Sequence, residues 1–403
     1  MTAMRAVTRP LTDLAPDATA LPDLNDVAAG DGTLFVRDGV GVAGRGVATR
    51  VPIDEATEVL RAIDHTSFRD DIHPIAIGTV PFTPGSPGEL IIPRVVVGKR
   101  ADGVAWLTTI DDADPADALA LRPDPVPTAT RYSLGHEVPI ETYLAAVAAA
   151  RDAVRRDELT KAVIARPIDI RADRPIDVHA VLRRLKASFG SSYRYSIDGL
   201  VGASPELLVE VDGPTVRSHP LAGTTRRTGD PANDFALARE LQASAKNQIE
   251  HRVVIDVVHD TLLPWASYLD WEPEPSIVAV ANVQHLGTRM EGMLSQPGPS
   301  VIELVRALAP TPALGGHPRA EALALIDAVE GFERGRYGGA VGWVDGHGNG
   351  TWAVTIRCAE LSVDRRSARL VAGGGIVAGS DPHAELAETQ AKFQAMISAI
   401  VRP

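Results

Sequence analysis

Residues 373–400 read GGGIVAGSDPHAELAETQAKFQAMISAI, a glycine run that passes through Ser380 into a helix-forming stretch. Asp381 is a candidate N-cap, and Pro382 suits the first helical position. At about 100° per residue, Leu386, Phe393, Ile397 and Ile400 form one apolar stripe. Glu385, Glu388 and Lys392 share a wedge about 60° wide beside that stripe. Two carboxylates and an ammonium beside a buried face read as the wall of a charged pocket. A glycine-rich turn entering a helix N-terminus also presents backbone N–H groups to an anion. The plainer alternative is a solvated helix carrying an i,i+4 Glu388–Lys392 pair.

The surrounding chain has 403 residues, 45% hydrophobic and 23% charged, an ordinary globular composition. No run of about 20 apolar residues is present, so no membrane span is expected. The first residues, MTAMRAVTRPLTDLAPDA, lack the apolar centre of a secretory signal. The formal net charge is −12 without a basic block, which argues against nucleic acid and anionic membranes as partners. An anionic substrate would therefore need a locally positive pocket or a bound cation. Cys358 is the one cysteine, which excludes an internal disulfide and fits a reducing cytoplasm. It reads as a small buried apolar residue rather than a nucleophile.

Residues 1–30 are Ala/Asp/Pro-rich and are expected to trail loosely. Residues 31–110 carry short β-like runs, among them TLFV at Thr33 and IAIGTVPF at Ile75. Within them Gly39–Gly44 matches GxGxxG, but no helix pattern follows, so a glycine-rich hairpin is the better reading than a dinucleotide site. Residues 111–130 are acidic and proline-rich, a linker-like crossing. Residues 131–403 form the expected core. They begin with an amphipathic helix over about Ile140–Glu158 and a strand from Thr160 that places Lys161 on one face with Val163 and Ala165. A long helix is expected over about Asn233–Leu263, with a break near its middle. On its wheel Glu250 falls among Val253, Val254 and Val257, where a carboxylate must be paired, protonated or metal-bound. Lys246, one turn earlier, could be its partner.

No zinc-type Cys/His cluster, Walker A sequence or GxSxG occurs. The chain offers instead carboxylates in apolar or glycine-rich settings: Glu206, Glu250, Glu385 and Glu388. Such oxygens, with waters and an anionic substrate, match the way Mg²⁺ is usually held. Lys161 could serve as a general base if desolvated beside other positive charge, or be an edge lysine whose stem covers apolar surface. Glu206 follows Ser-Pro at a strand entry; burial would make it a usable general acid, and a turn carboxylate is the alternative.

Eight ordered blocks then carry a resemblance. GASPELL (Gly202–Leu208), HPLAGT (His219–Thr224), SAKNQIEH (Ser244–His251), QHLGT (Gln284–Thr288), PTPALGG (Pro310–Gly316), RGRYGGAVG (Arg334–Gly342), IRCAEL (Ile356–Leu361) and Gly373–Phe393 resemble the chorismate-utilising enzymes. These include isochorismate, salicylate, anthranilate and aminodeoxychorismate synthases. The resemblance is strong from about Ile140 onward and weaker before it. It implies an α/β fold of the α+β type, with two stacked, largely antiparallel sheets flanked by helices in a single large domain. Lys161 then matches the lysine that activates water for attack at C2 of chorismate, and Glu206 the acid that protonates the departing C4 hydroxyl. Glu250 and Glu388 match Mg²⁺ ligands, with Glu385 close by. Tyr337, Arg357, Lys392 and the amides of Gly373 and Gly375 match the cradle of the enolpyruvyl carboxylate. Gly223, Thr224 and His285 match positions that contact the ring. Asn247 stands where some relatives have an acidic residue.

Within that family, Ala222 stands where aminodeoxychorismate synthases carry an adduct-forming lysine, and His219 replaces an arginine usual in anthranilate synthases. The PTPALGG and GWVDG blocks look most like isochorismate synthases. The expectation is therefore an isomerase that interconverts chorismate and isochorismate with Mg²⁺, a cytoplasmic monomer serving menaquinone or siderophore synthesis. Salicylate synthase is the alternative, then anthranilate synthase.

Overall fold

In the computed structural model residues 4–14, 21–116 and 131–402 are described. Two large sheets pack on one shared core, with helices on their outer faces and a small third sheet at one end. The thirteen-stranded sheet joins a block of early strands to a block in which middle and C-terminal strands interleave. Ser367–Ile376 lies between Lys161–Ala172 and Cys358–Leu361, and Thr33–Arg37 pairs with Tyr193–Ile197. The nine-stranded sheet likewise joins Ile75–Val80 to Ala340–Asp345. Early strands therefore complete the sheets of the later ones, in the single α/β domain with largely antiparallel sheets expected from the sequence. The third sheet, Leu221–Arg226, Val283–Gly287 and Ser276–Ala279, was not foreseen. Among the described residues, no helix is long and apolar enough to cross a membrane.

The loose N-terminal segment is corrected. Arg5–Pro10 is a strand, antiparallel to Ala105–Ile110 and parallel to Asp64–Ser67, and Leu24–Ala28 is a helix capped by Asp23. Ala6, Leu11, Leu24 and Val27, few among polar residues and prolines, are all buried. Burial of these four anchors a stretch too short to show periodicity. Most of the acidic crossing, residues 117–130, lies outside the described residues. At GxGxxG the chain makes a hairpin of Thr33–Arg37 and Val40–Arg45. Asp38 and Gly39, at φ 50° and 81°, form its two-residue turn, and no helix follows.

The long helix is two helices, Pro231–Ala243 and Ala245–Leu262. Ser244 interrupts them with ψ 109° and accepts a hydrogen bond from the Asn247 amide, restarting the helix as an N-cap. The buried face of the second helix carries Glu250, His251, Val254, Ile255, Val258 and Leu262; Val253 and Val257 lie partly outside it.

The strand that carries Lys161 pairs without interruption from Ala162–Ile376 to Arg171–Ser367. On its other edge, between short pairings with Gly316–His317 and Tyr132–Gly135, the gap is closed by a buried ion pair. The Arg334 guanidinium donates to the carbonyls of Val163 (2.7 Å) and Leu314 (2.7 Å) and to Glu330 (2.8 Å), while Glu330 accepts the Ala165 amide at 2.7 Å. With both side chains out of solvent, removing one partner strands the other's charge. Arg334→Met is expected to cost about 3–5 kcal/mol of stability, read from urea unfolding, and the double variant with Glu330→Gln less than that.

Candidate active site

All thirteen residues singled out from the sequence line one cavity. They are Lys161, Glu206, Gly223, Thr224, Glu250, His285, Tyr337, Arg357, Gly373, Gly375, Glu385, Glu388 and Lys392. The cavity lies where the open end of the thirteen-stranded sheet meets the small third sheet and two helices. Ala245–Leu262 supplies Glu250, and Pro382–Val401 supplies Glu385, Glu388 and Lys392.

The glycine run is strand rather than turn, and this corrects how its amides become free. Val163 gives its amide to Gly315 and Ala165 gives its own to Glu330, both away from the glycine strand. The Val163–Gly375 and Ala165–Gly373 pairs are therefore the non-hydrogen-bonded ones of the ladder. The amides of Gly373 and Gly375 point to the opposite edge, where pairing with Cys358–Leu361 has already stopped at Leu370. The Gly373 carbonyl, on that same edge, accepts from Lys392 Nζ at 2.7 Å.

Absent side chains also let carboxylates in from both faces. A Cβ at Gly374 would stand 2.6 Å from Glu385 Oε2, and one at Gly375 would stand 2.3 Å from Glu250 Oε1. Each carboxylate has a lysine. Lys161 Nζ lies 2.9 Å from Glu250, Lys392 Nζ 2.6 Å from Glu388, and Lys246 Nζ 3.7 Å from Glu385. The expected Lys246–Glu250 pair is thus replaced by two pairs between elements distant in sequence. Lys161 is buried as expected, but its neighbour is a carboxylate rather than a second cation. Burial, then the nearby Glu388, pushes the Glu385 carboxyl up to about 7. Crowded hard oxygens of this kind suit Mg²⁺ by donor chemistry. Among the described residues, however, no three His, Cys, Asp or Glu side chains already stand as an ion-holding group. The lysines hold the carboxylates instead.

On the far wall Arg357 adopts φ 53°, a left-handed conformation costing about 1–3 kcal/mol for such a residue. Its Nη2 donates to His285 Nε2 at 3.1 Å. Because a guanidinium can only donate, His285 carries its proton on Nδ1, which bonds the Gly223 carbonyl at 3.2 Å with Thr224 Oγ1 at 3.1 Å. Burial, then Arg357 and Lys392, holds His285 well below its ordinary pKa, so it is neutral. Sequence reasoning made His285 a ring contact and missed this hold on Arg357. Nη1 of Arg357 is buried without a partner among the described residues, a free donor for a planar anion. Burial pushes the Tyr337 hydroxyl up to about 12 and the Cys358 thiol up to about 12, which keeps both protonated.

Glu206 sits between two strands, 3% exposed, and accepts the Leu221 amide at 3.4 Å. Burial raises its carboxyl to about 8, against the weaker pull of that hydrogen bond and of Lys161. At neutral pH it is therefore an acid with a proton to give.

The family described as chorismate binding enzyme matches residues 95–401. The chain belongs to the chorismate-binding enzymes. It is 37% identical over 338 residues to isochorismate synthase DhbC of Bacillus subtilis, covering 81% of each chain. It is 35% identical over 332 residues to isochorismate synthase EntC of Escherichia coli K12, again covering 81% of each. The structure of MenF, the menaquinone-specific isochorismate synthase of Escherichia coli, superposes with a TM-score of 0.82 at 25% identity, covering 99% of this chain and 95% of that one. Sequence reasoning gave Lys246 only as a partner for Glu250 and gave no role to the apolar wall of Ala313, Leu314 and Ile356. The wall's signal was present in the quoted PTPALGG and IRCAEL blocks. Gly375→Ala is expected to expel the Glu250 carboxylate from Lys161 while leaving the strand paired. A crystal structure of that variant with the two groups still within about 3.2 Å of each other would contradict this.

Proposed function

We propose that this chain is an isochorismate synthase, converting chorismate reversibly to isochorismate. The observation that carries the reading is that a buried lysine and a protonated carboxyl open onto one cavity whose other walls hold a free guanidinium edge and two free glycine amides. The named relatives at 35–37% identity support the same reaction.

In this reading Lys161 takes the proton of water as the water oxygen bonds to C2. The ring double bonds shift, the C4–O bond breaks, and Glu206 delivers its proton to the departing hydroxyl, which leaves as water. One water enters and one leaves, so the net change is an isomerisation. Arg357, aimed by His285, and the amides of Gly373 and Gly375 hold the enolpyruvyl carboxylate. Mg²⁺, held by Glu250 and Glu388 with Glu385 beside them, would neutralise the ring carboxylate. Ala222 lines the cavity with a methyl group, which supports water rather than a protein amine as nucleophile. The single buried thiol, and a net charge unsuited to nucleic acid or anionic lipid, support a cytoplasmic setting with chorismate as the partner.

Purified protein with chorismate and Mg²⁺ is expected to yield isochorismate, resolved by chromatography. Salicylate with pyruvate as the main product would select the salicylate synthase reading; anthranilate formed with ammonia would reject both. Glu206→Gln and Lys161→Ala are each expected to lower turnover by about 10²–10⁴-fold with circular dichroism unchanged. Because the acid works protonated and its pKa is raised to about 8, turnover should hold at neutral pH and fall as pH rises through about 8. A rate that climbs across that range would assign the proton to another group.

A further inference from the structure

Arg166 is 3% exposed and forms no ion pair among the described residues. A buried guanidinium usually sits against a carboxylate. This one instead directs a single edge at two neutral acceptors, Nε to Thr389 Oγ1 at 2.8 Å and Nη2 to Gln390 Oε1 at 2.9 Å. Its flat faces lie against aromatic rings, 4.9 Å from Phe393 and 5.8 Å from Tyr143. Desolvating a charge to satisfy two neutral groups is costly where a neutral side chain would fill the space.

Placement explains what the charge is for. Arg166 is on the strand of Lys161 and pairs with Ala372, two residues before Gly374. Thr389, fully buried, follows Glu388 directly, lies one helical turn after Glu385 and three residues before Lys392. It therefore borders the charged wedge, about 40° beyond Glu385 on the helix. Its hydroxyl donates to the Leu386 carbonyl at 2.8 Å, which leaves a fixed lone pair for Arg166.

We infer that Arg166 is a positioning residue: its two-point hold on Thr389 and Gln390 locks the Pro382–Val401 helix against the Lys161 strand and so sets where Glu385, Glu388 and Lys392 meet the glycine run. This rests on the proposed reading only for its functional consequence. A lysine at this position keeps the charge but cannot span two acceptors from one edge.

The test uses the full chain with Arg166→Met, Arg166→Lys and, as a milder variant that should keep the fold, Gln390→Ala. Calorimetric titration with Mg²⁺ alone is expected to show about a 10–100-fold loss of affinity for Arg166→Met, little rescue by Arg166→Lys, and a smaller loss for Gln390→Ala. Full rescue by lysine would reduce the role to charge and overturn the two-point hold. Crystal structures of the parent and Arg166→Met are expected to show Glu385 withdrawn from Gly374 in the variant. Glu385 unmoved there would overturn the inference, whatever reaction the parent catalyses. If the parent neither binds Mg²⁺ nor turns over chorismate, the proposed function fails, and the crystallographic comparison still decides the role of Arg166.

Discussion

A lysine and a glutamate that share no local sequence, Lys161 and Glu250, meet out of solvent at 2.9 Å, and the geometry of the site depends on that contact. Taking two charges from water is costly unless each finds the other in good geometry. The strand and the helix that carry them must therefore arrive in a fixed relation. The strand is fixed on one edge by unbroken pairing with Ser367–Ile376 and on the other by Arg334 and Glu330. The helix is fixed by its restart at Ser244 and by an apolar face that continues past Glu250 through Val254 and Val258. The rigidity of each element lets a single polar contact define the cavity.

The glycines at 373–375 act through what they lack. A strand at this position with ordinary side chains would fill the space from which Glu250 and Glu385 approach on opposite faces. The same strand turns two amides toward an edge that its neighbour has vacated. Sheet geometry thus leaves backbone donors turned outward here, as a helix N-terminus does elsewhere.

Much of this could be read from the sequence because the informative residues break local rules. A glutamate on an apolar helix face and a glycine run before a charged wedge are costly unless something offsets them, and that cost marked Glu250, Glu385 and Glu388. A break near the middle of the long helix was expected, but its place at Ser244 and the cap that makes it come from the structure. What was not legible depended on partners far away in sequence. Nothing near Lys246 tells that it reaches Glu385 rather than Glu250, and nothing near His285 tells that it orients Arg357. The strand at Arg5–Pro10 escaped notice because its stability comes from neighbours about 60 and 100 residues later, not from its own pattern.

Three lysines matched to three glutamates leave the carboxylate side of the pocket close to electrically neutral. A doubly charged cation arriving alone must displace ammonium groups, and a cyclic dianion arriving alone must lie beside three carboxylates. In the proposed function, a cation and a dianion arriving together would cancel. Each should therefore tighten the other's hold by the same free energy, a reciprocity that thermodynamic linkage requires of any two ligands sharing one electrostatic balance.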